Sequence, residues 1–187
     1  MVAITTYSYP RAALIGNPSD GYYGKTIAFV FSNFQVSVTL EENDKVIIVP
    51  GERDRLQFEN LEELSNDVTQ FGYYGGIRLL KAASKKFFEY CQNANQELSE
   101  KNFKVAYQSD IPNRLGLAGS SAIITAYIKA LMKFYEVSIQ KPLLANLVLS
   151  VETEELGISA GLQDRVAQAY EKPVVMDFDR TLIKEQG

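Results

Sequence analysis

The stretch that decides the fold covers residues 112–122 and reads Pro112-Asn113-Arg114-Leu115-Gly116-Leu117-Ala118-Gly119-Ser120-Ser121-Ala122. It follows a strand-like alternation at 103–109 and enters an apolar-periodic segment, 123–134, that predicts a helix. A glycine-rich turn at this junction leaves the first backbone N–H groups of the helix unpaired, and the helix dipole adds positive charge there. The pattern therefore favours an anion site, and phosphate is the usual anion.

The two serines at the start of this predicted helix, Ser120 and Ser121, leave two interpretations open. A hydroxyl at this position can cap the helix or reach a metal ion bound to phosphates. The stretch can equally be a plain turn followed by an N-cap serine, because a lone glycine-rich helix start is weak evidence of function. It is neither a Walker P-loop, since no Gly-Lys-Ser/Thr follows, nor the glycine-rich loop of protein kinases.

The composition is that of an ordinary globular chain and excludes several classes of protein. The 187 residues are 46% hydrophobic and 22% charged, which suits one core and leaves room for a second, small one. The net charge is −4 and no lysine/arginine cluster stands out, so we expect no nucleic-acid partner. No apolar run approaches the roughly 18 residues of a membrane span, and the N-terminus lacks a signal-peptide pattern, so no membrane partner is expected.

The numbers of cysteine and histidine residues limit the disulfides, catalytic mechanisms and metal sites that the chain can support. A single cysteine, Cys91, excludes an internal disulfide framework and favours a reducing, cytoplasmic location, and its helical setting predicts a packing residue. The absence of histidine excludes Ser-His-Asp and Cys-His catalysis and histidine-based zinc sites. A general base must therefore be a carboxylate, lysine, tyrosine or cysteine, and a metal site built from oxygens suits Mg²⁺.

The order of the predicted elements indicates an α+β fold with one mixed domain, because strands come first and helices later. The predicted strands are 4–15, 26–40 (two strands meeting near 32–33), 45–49, 103–109, 174–176 and an edge strand around 56–58. Helical spacing dominates from residue 62, and the predicted helices are 77–91, 120–135, 141–156 and 160–171. The first 50 residues are thus expected to form mostly antiparallel sheet.

A second stretch with candidate functional residues is Pro10-Arg11-Ala12-Ala13-Leu14-Ile15-Gly16-Asn17-Pro18-Ser19-Asp20, which predicts a buried strand that leads into a polar turn. Asn17 and Asp20 can hydrogen-bond sugar hydroxyls, and Arg11 can hold a phosphate or a carboxylate. The alternative is a plain turn in which Asn and Asp serve only their local backbone bonds.

A third stretch, 152–168, places three glutamates late on a predicted helix: Glu152, Glu154 and Glu155. Carboxylates at a helix C-terminus are electrostatically unfavourable, so at least one has a partner such as a metal ion, unless the three form a solvated acidic face. The next helix opens after Gly161 with Asp164 near its start. Arg165 can pair with Asp164 and keep it ionised.

Together, the three stretches resemble the GHMP kinases, the superfamily of galactokinase, homoserine kinase, mevalonate kinase and phosphomevalonate kinase. The phosphate loop of that family reads Pro-x-x-x-Gly-Leu-x-Ser-Ser-Ala, and residues 112–122 carry it with one extra residue. This variant, the turn at 11–24 and the segment 156–168 are similar to the plant-type glucuronokinases within the superfamily.

The resemblance implies that residues 1–187 form a GHMP kinase N-terminal, ATP-binding domain, in which helices pack on an antiparallel sheet. It implies ATP and Mg²⁺ as cofactors and a small sugar as substrate, phosphorylated at its anomeric hydroxyl, with glucuronate favoured. Another sugar-1-kinase, of the galacturonate or galactose type, and a non-catalytic nucleotide- or sugar-binding fragment remain alternatives. The C-terminal domain of the family is expected to be absent from this chain.

The resemblance also implies roles for individual residues. Asp164 matches the catalytic aspartate that orients or deprotonates the acceptor hydroxyl, and Arg11 falls where galactokinases carry an arginine near it. The phosphate-binding residues are Gly116, Leu117, Ala118, Gly119, Ser120, Ser121 and Ala122. Ser121, or Ser120 given the inserted residue, matches the serine that binds Mg²⁺ and phosphate, and Glu152 matches the Mg²⁺ glutamate.

For the sugar, the resemblance implies that Asn17 and Asp20 lie in the substrate-binding turn, although most relatives carry Glu-His where this chain has Asn17-Pro18. A uronate also carries a carboxylate that needs a cation. Arg165, Arg114 and Lys25 are the candidates, and the sequence does not choose among them.

Overall fold

Two β-sheets with helices packed against them make up the described part of the chain, which is residues 3–51, 54, 57–71 and 75–182 of a computed structural model. The elements in chain order are β1 (Ile4–Ser8), β2 (Arg11–Ile15), a 3₁₀ turn (Ser19–Tyr22), β3 (Lys25–Val30), β4 (Val36–Asn43), β5 (Ile47–Ile48), α1 (Leu61–Phe71), α2 (Gly76–Asn93), β6 (Asn102–Ser109), α3 (Gly119–Phe134), α4 (Lys141–Ser150), a π-helical turn (Val151–Glu155), α5 (Leu162–Tyr170) and β7 (Val174–Asp177). The α+β class predicted from the sequence is confirmed.

The first sheet has the strand order β1-β4-β6-β5. Strand β4 pairs antiparallel with β1 and β6, and its Val36, Val38 and Leu40 are fully buried, as the alternation in the sequence predicts. Strand β5 pairs in parallel with β6, so the sheet is mixed and not wholly antiparallel. A parallel neighbour needs a long crossover connection, and the segment with α1 and α2 supplies it.

The second sheet has the order β2-β3-β7 and is antiparallel throughout. Strands β3 and β4 are neighbours in the sequence but belong to different sheets, and so do β1 and β2. Helix α5 covers one face of this sheet, where Ala28, Ala167, Met176 and Phe178 form a small core of their own.

The main core lies between the first sheet and helices α2, α3 and α4. Helix α3 is buried along most of its length, including Tyr127, whose hydroxyl is hydrogen-bonded to that of Ser84 at 2.8 Å. Cys91 on α2 is 1% exposed, and burial raises the pKa of its thiol. The prediction that this cysteine is a packing residue is confirmed.

Several predicted boundaries shift in the structure. The strand predicted at 45–49 is limited to Ile47–Ile48, and the helix predicted at 141–156 ends at Ser150, where the backbone widens into the π-helical turn. The edge strand predicted around 56–58 falls partly outside the described residues, and its last two positions are not in a strand. Among the described helices, none has the length and apolar composition needed to span a membrane.

Candidate active site

A cavity of about 1120 Å³ brings the three stretches together. Its wall includes the start of β2, the turn that follows it, the 112–120 loop, the π-helical turn and the start of α5. Arg11, Asp20, Glu152 and Asp164 all line it, although they are spread over about 150 positions of the chain. Residues from each of the three stretches therefore line one cavity, whereas Ser121 and Ala122 of the predicted phosphate loop are fully buried outside its wall.

The loop before α3 is held in a conformation that exposes the N-terminus of the helix. Ala118, the N-cap residue, is left-handed at φ 60°, and within the described residues the first backbone N–H bonded in α3 is that of Ala122, to Ala118 O at 3.1 Å. The earlier N–H groups of the helix are therefore available to an anion, as the sequence predicts.

Neighbouring elements hold this loop. The Arg11 N–H donates to Leu117 O at 3.1 Å, which joins the loop to β2. The fully buried Gln168 of α5 donates its side-chain amide to Ala118 O at 3.0 Å and to Tyr9 O at 3.1 Å. This role of Gln168 is not predicted from the sequence, where the residue stands out only by its position at the end of the third stretch.

The two serines occupy different environments. Ser120 lines the cavity and donates its hydroxyl to Glu152 Oε1 at 2.7 Å. Ser121 is fully buried and donates to Ala118 O at 3.1 Å. The resemblance implies Ser121 for the metal, with Ser120 as the alternative, and of the two only Ser120 lies beside Glu152 in the cavity wall.

Charged side chains form a continuous network at the centre of the site. Arg11 Nη2 contacts Asp164 Oδ1, and Arg165 Nη1 lies 3.2 Å from Asp164 Oδ2. Arg165 also pairs with Glu152 Oε2, through Nη2 and through Nε at 2.9 Å. Two carboxylates and two guanidinium groups thus balance one another, which suits their burial because an unpaired buried charge is costly.

Asp20 lies at the N-terminal end of α5. Its Oδ2 accepts a hydrogen bond from the Gln163 N–H at 3.3 Å, and a Cβ atom on Gly161 would come within 2.0 Å of the same oxygen. The absence of a side chain at Gly161 therefore lets the turn approach α5 closely. Asn17, also predicted to bind sugar, is exposed at the cavity wall.

The other predicted candidates lie elsewhere or have other partners. Glu154 and Glu155 pair with Lys86 and Lys85 of α2, at 2.8 and 2.5 Å, and these hydrogen bonds raise the pKa of both lysines. Lys25 pairs with Asp177 at 2.8 Å across the second sheet, outside the cavity wall. Arg114 lines the cavity and donates to Thr69 O at 3.3 Å.

The site offers oxygen atoms suited to Mg²⁺ but not a complete protein cage. Among the described residues, no group of three or more His, Cys, Asp or Glu side chains is arranged to hold a metal ion. Glu152 Oε1 and the Ser120 hydroxyl form an adjacent carboxylate–hydroxyl pair at the cavity. Mg²⁺ commonly binds through one or two protein oxygens together with substrate phosphates and water, so this donor set fits an ion that arrives with a nucleotide.

Comparison with known proteins relates the chain to a family of kinases. Residues 78–172, just over half of the chain, match the GHMP kinases N terminal domain. Glucuronokinase 1 of Arabidopsis thaliana is 44% identical over 99% of the chain and 52% of its own length. The chain spans about half the length of the curated glucuronokinases it matches.

Solved structures show the same fold at lower identity. A D-glycero-D-manno-heptose 1-phosphate kinase from Bacteriodes thetaiotaomicron superposes with a TM-score of 0.72 at 21% identity, over 96% of this chain and 57% of that one. Streptococcus pneumoniae phosphomevalonate kinase, in complex with phosphomevalonate and AMPPNP, gives 0.69 at 17% identity, over 99% of this chain and 54% of that one.

Proposed function

Because this chain belongs to the GHMP kinases, we propose that it forms the nucleotide- and substrate-binding half of an ATP-dependent sugar kinase. The reaction is transfer of the γ-phosphoryl group to the anomeric hydroxyl of D-glucuronate. The observation that carries the proposal is the convergence of Asp164, Arg11 and the open N-terminus of α3 on one cavity. The preference for glucuronate rests on the 44% identity to Glucuronokinase 1.

In this proposal, Asp164 orients the sugar hydroxyl and receives its proton. The sugar oxygen then forms a bond to the γ-phosphorus while the bond from phosphorus to the β–γ bridging oxygen breaks, giving ADP and a sugar 1-phosphate. Arg11, in contact with Asp164 Oδ1, would neutralise charge on the transferred group. Phosphoryl transfer depends more on positioning and charge neutralisation than on covalent participation of the protein, and these residues offer both.

The phosphates of ATP are proposed to bind at the N-terminus of α3, along the loop of Gly116, Leu117, Ala118 and Gly119. Ser120 and Glu152 are the residues that would hold Mg²⁺. The bound ion would offset the negative charge of the phosphates. Asn17 and Asp20 would contact the sugar from the turn that follows β2, which also lines the cavity.

The proposal is tested by ³¹P NMR of the chain, and of the intact gene product that contains it, with Mg-ATP and glucuronate. Galacturonate and galactose serve as parallel samples. A new sugar 1-phosphate resonance with glucuronate alone is expected. A resonance only with another sugar would overturn the assignment of glucuronate, and no resonance with any sugar from the intact product would overturn the kinase assignment.

A non-catalytic role is the second candidate, favoured by the open N-terminus of α3, because such an anion site can bind phosphates without a catalytic group. In that case this chain alone binds ATP without turnover. The same ³¹P experiment separates the two, since a new sugar 1-phosphate resonance overturns the non-catalytic role, whereas ATP binding with no new resonance supports it.

A further inference from the structure

Arg165 is the buried link between the two carboxylates of the site. It is 4% exposed, and its partner Glu152 is 1% exposed. The guanidinium contacts Glu152 Oε2 through Nε and Nη2, and Nη1 reaches Gly161 O at 2.7 Å and Asp164 Oδ2 at 3.2 Å. These four contacts occupy most of the five N–H donors that an arginine carries, so little of the guanidinium is left for a substrate.

The two oxygens of each carboxylate have different partners. Glu152 gives Oε2 to Arg165 and keeps Oε1 for the Ser120 hydroxyl. Asp164 gives Oδ2 to Arg165 and keeps Oδ1 for Arg11. In both residues one oxygen is held by the same buried guanidinium, and the other contacts a second side chain of the site.

We propose that Arg165 is a positioning residue that fixes Glu152 and Asp164 relative to each other, and not a ligand of the sugar carboxylate. Because both carboxylates bind one planar guanidinium, the carboxylate proposed for Mg²⁺ (Glu152) and the carboxylate proposed for the acceptor hydroxyl (Asp164) keep a fixed relative position. This inference rests on the proposed function, because it takes the two carboxylates as the metal and acceptor groups.

Replacing Arg165 with lysine separates this role from sugar binding. Lysine keeps the positive charge but presents a compact ammonium group, which cannot reproduce the planar fork that spans both carboxylates. The expected result in the intact gene product is a loss of about tenfold or more in Mn²⁺ affinity, measured by electron paramagnetic resonance with a non-hydrolysable ATP analogue. We also expect kcat to fall by about tenfold or more, with the KM for glucuronate within about threefold of its original value.

A ligand of the sugar carboxylate would give the opposite pattern, a raised KM for glucuronate with unchanged Mn²⁺ affinity, and that result would overturn the proposal. Arg180→Lys is the matched control, because Arg180 is exposed, contacts Tyr23 and does not line the cavity. It should leave Mn²⁺ affinity, kcat and KM unchanged.

If Arg165→Lys fails to fold, the unsubstituted protein still tests the inference. The ¹⁵N-labelled Arg165 Nε–H resonance should shift on addition of Mg²⁺ with the ATP analogue, because its acceptor is the carboxylate that meets the ion. An unmoved resonance in a protein that binds Mn²⁺ would overturn the inference alone. A protein that neither binds Mn²⁺ with the analogue nor transfers phosphate would overturn the proposed function together with it.

Discussion

Ser120 and Ser121 are neighbours in the sequence, but only one of them is positioned beside the carboxylate proposed to bind Mg²⁺. Ser120 lines the cavity and bonds to Glu152, whereas Ser121 points into the fold and bonds to Ala118 O. We expect Ser120→Ala to raise the Mg²⁺ concentration for half-maximal activity by about tenfold, because it removes one of the two oxygens proposed to hold the ion. The measurement is a Mg²⁺ titration of the rate at saturating ATP.

Ser121→Ala is the matched control for that change. It removes a buried hydrogen bond and should lower the free energy of unfolding by about 1 kcal/mol, with the Mg²⁺ requirement unchanged. A raised Mg²⁺ requirement in Ser121→Ala, with none in Ser120→Ala, would return the metal role to Ser121.

A second prediction for a single residue concerns the role of Asp164 in phosphoryl transfer. Asp164→Asn keeps the shape of the side chain but removes the charge that faces Arg11 and Arg165 and the group proposed to accept the proton. We expect kcat to fall by about 10²–10⁴-fold, with ATP affinity within a few-fold of its original value. The rate is followed by ³¹P NMR, nucleotide binding by calorimetry and folding by circular dichroism. Unchanged turnover in a folded variant would remove Asp164 from its proposed role.

At the scale of elements, the contact between the 3₁₀ turn and the start of α5 depends on one glycine. A methyl group on Gly161 would meet Asp20 Oδ2 at 2.0 Å, so Gly161→Ala should displace the Asp20 carboxylate from the Gln163 N–H. Loss of this helix-terminal acceptor should cost about 1 kcal/mol of stability and raise the KM for the sugar. Urea denaturation and steady-state kinetics measure the two effects.

Gly21→Ala provides the control within the same turn, because a Cβ at Gly21 would meet nothing within 4 Å. It should leave both the denaturation midpoint and the KM close to their original values. Equal behaviour of the two variants would show that the turn does not depend on its close approach to α5.

The elements themselves were largely predictable, because their signals are local. The alternation of Val36, Val38 and Leu40 predicts a half-buried strand, and the periodicity after residue 119 predicts α3. The partition into two sheets was not predictable, since it depends on which strands meet after the chain turns at residues 9–10 and 31–35. The parallel pairing of Ile47–Ile48 likewise arises only from the crossover between β5 and β6.

The candidate site was predictable as a set of residues but not as a set of contacts. The resemblance to the GHMP kinases implied roles for Arg11, Glu152 and Asp164, and the structure brings all three to one cavity. The pairing of Arg165 with Glu152 could not be read from the sequence, because it joins a π-helical turn to the next helix across a loop. The partners of a charged side chain depend on tertiary packing, and the spacing of charges along the chain does not encode it.

At the scale of the whole molecule, Cys91 offers a test that needs no catalysis. It is the single cysteine of the chain, it is buried in α2, and desolvation raises the pKa of its thiol, so little thiolate is exposed in the folded state. Helix α2 also contributes Gly76 and Leu79 to the cavity wall. We therefore expect ligand binding at the site to oppose opening of the fold.

We expect a thiol reagent such as Ellman's reagent to label Cys91 only when the main core opens, so the labelling rate reports the population of the open form. ATP that binds the folded state at a concentration about 100 times its dissociation constant should stabilise that state by about 2.7 kcal/mol and slow labelling about 100-fold. Cys91→Ser gives the background rate. Labelling as fast as that of a free thiol, with no effect of ATP, would show that α2 opens independently of the site and that the cavity does not hold the nucleotide in this chain.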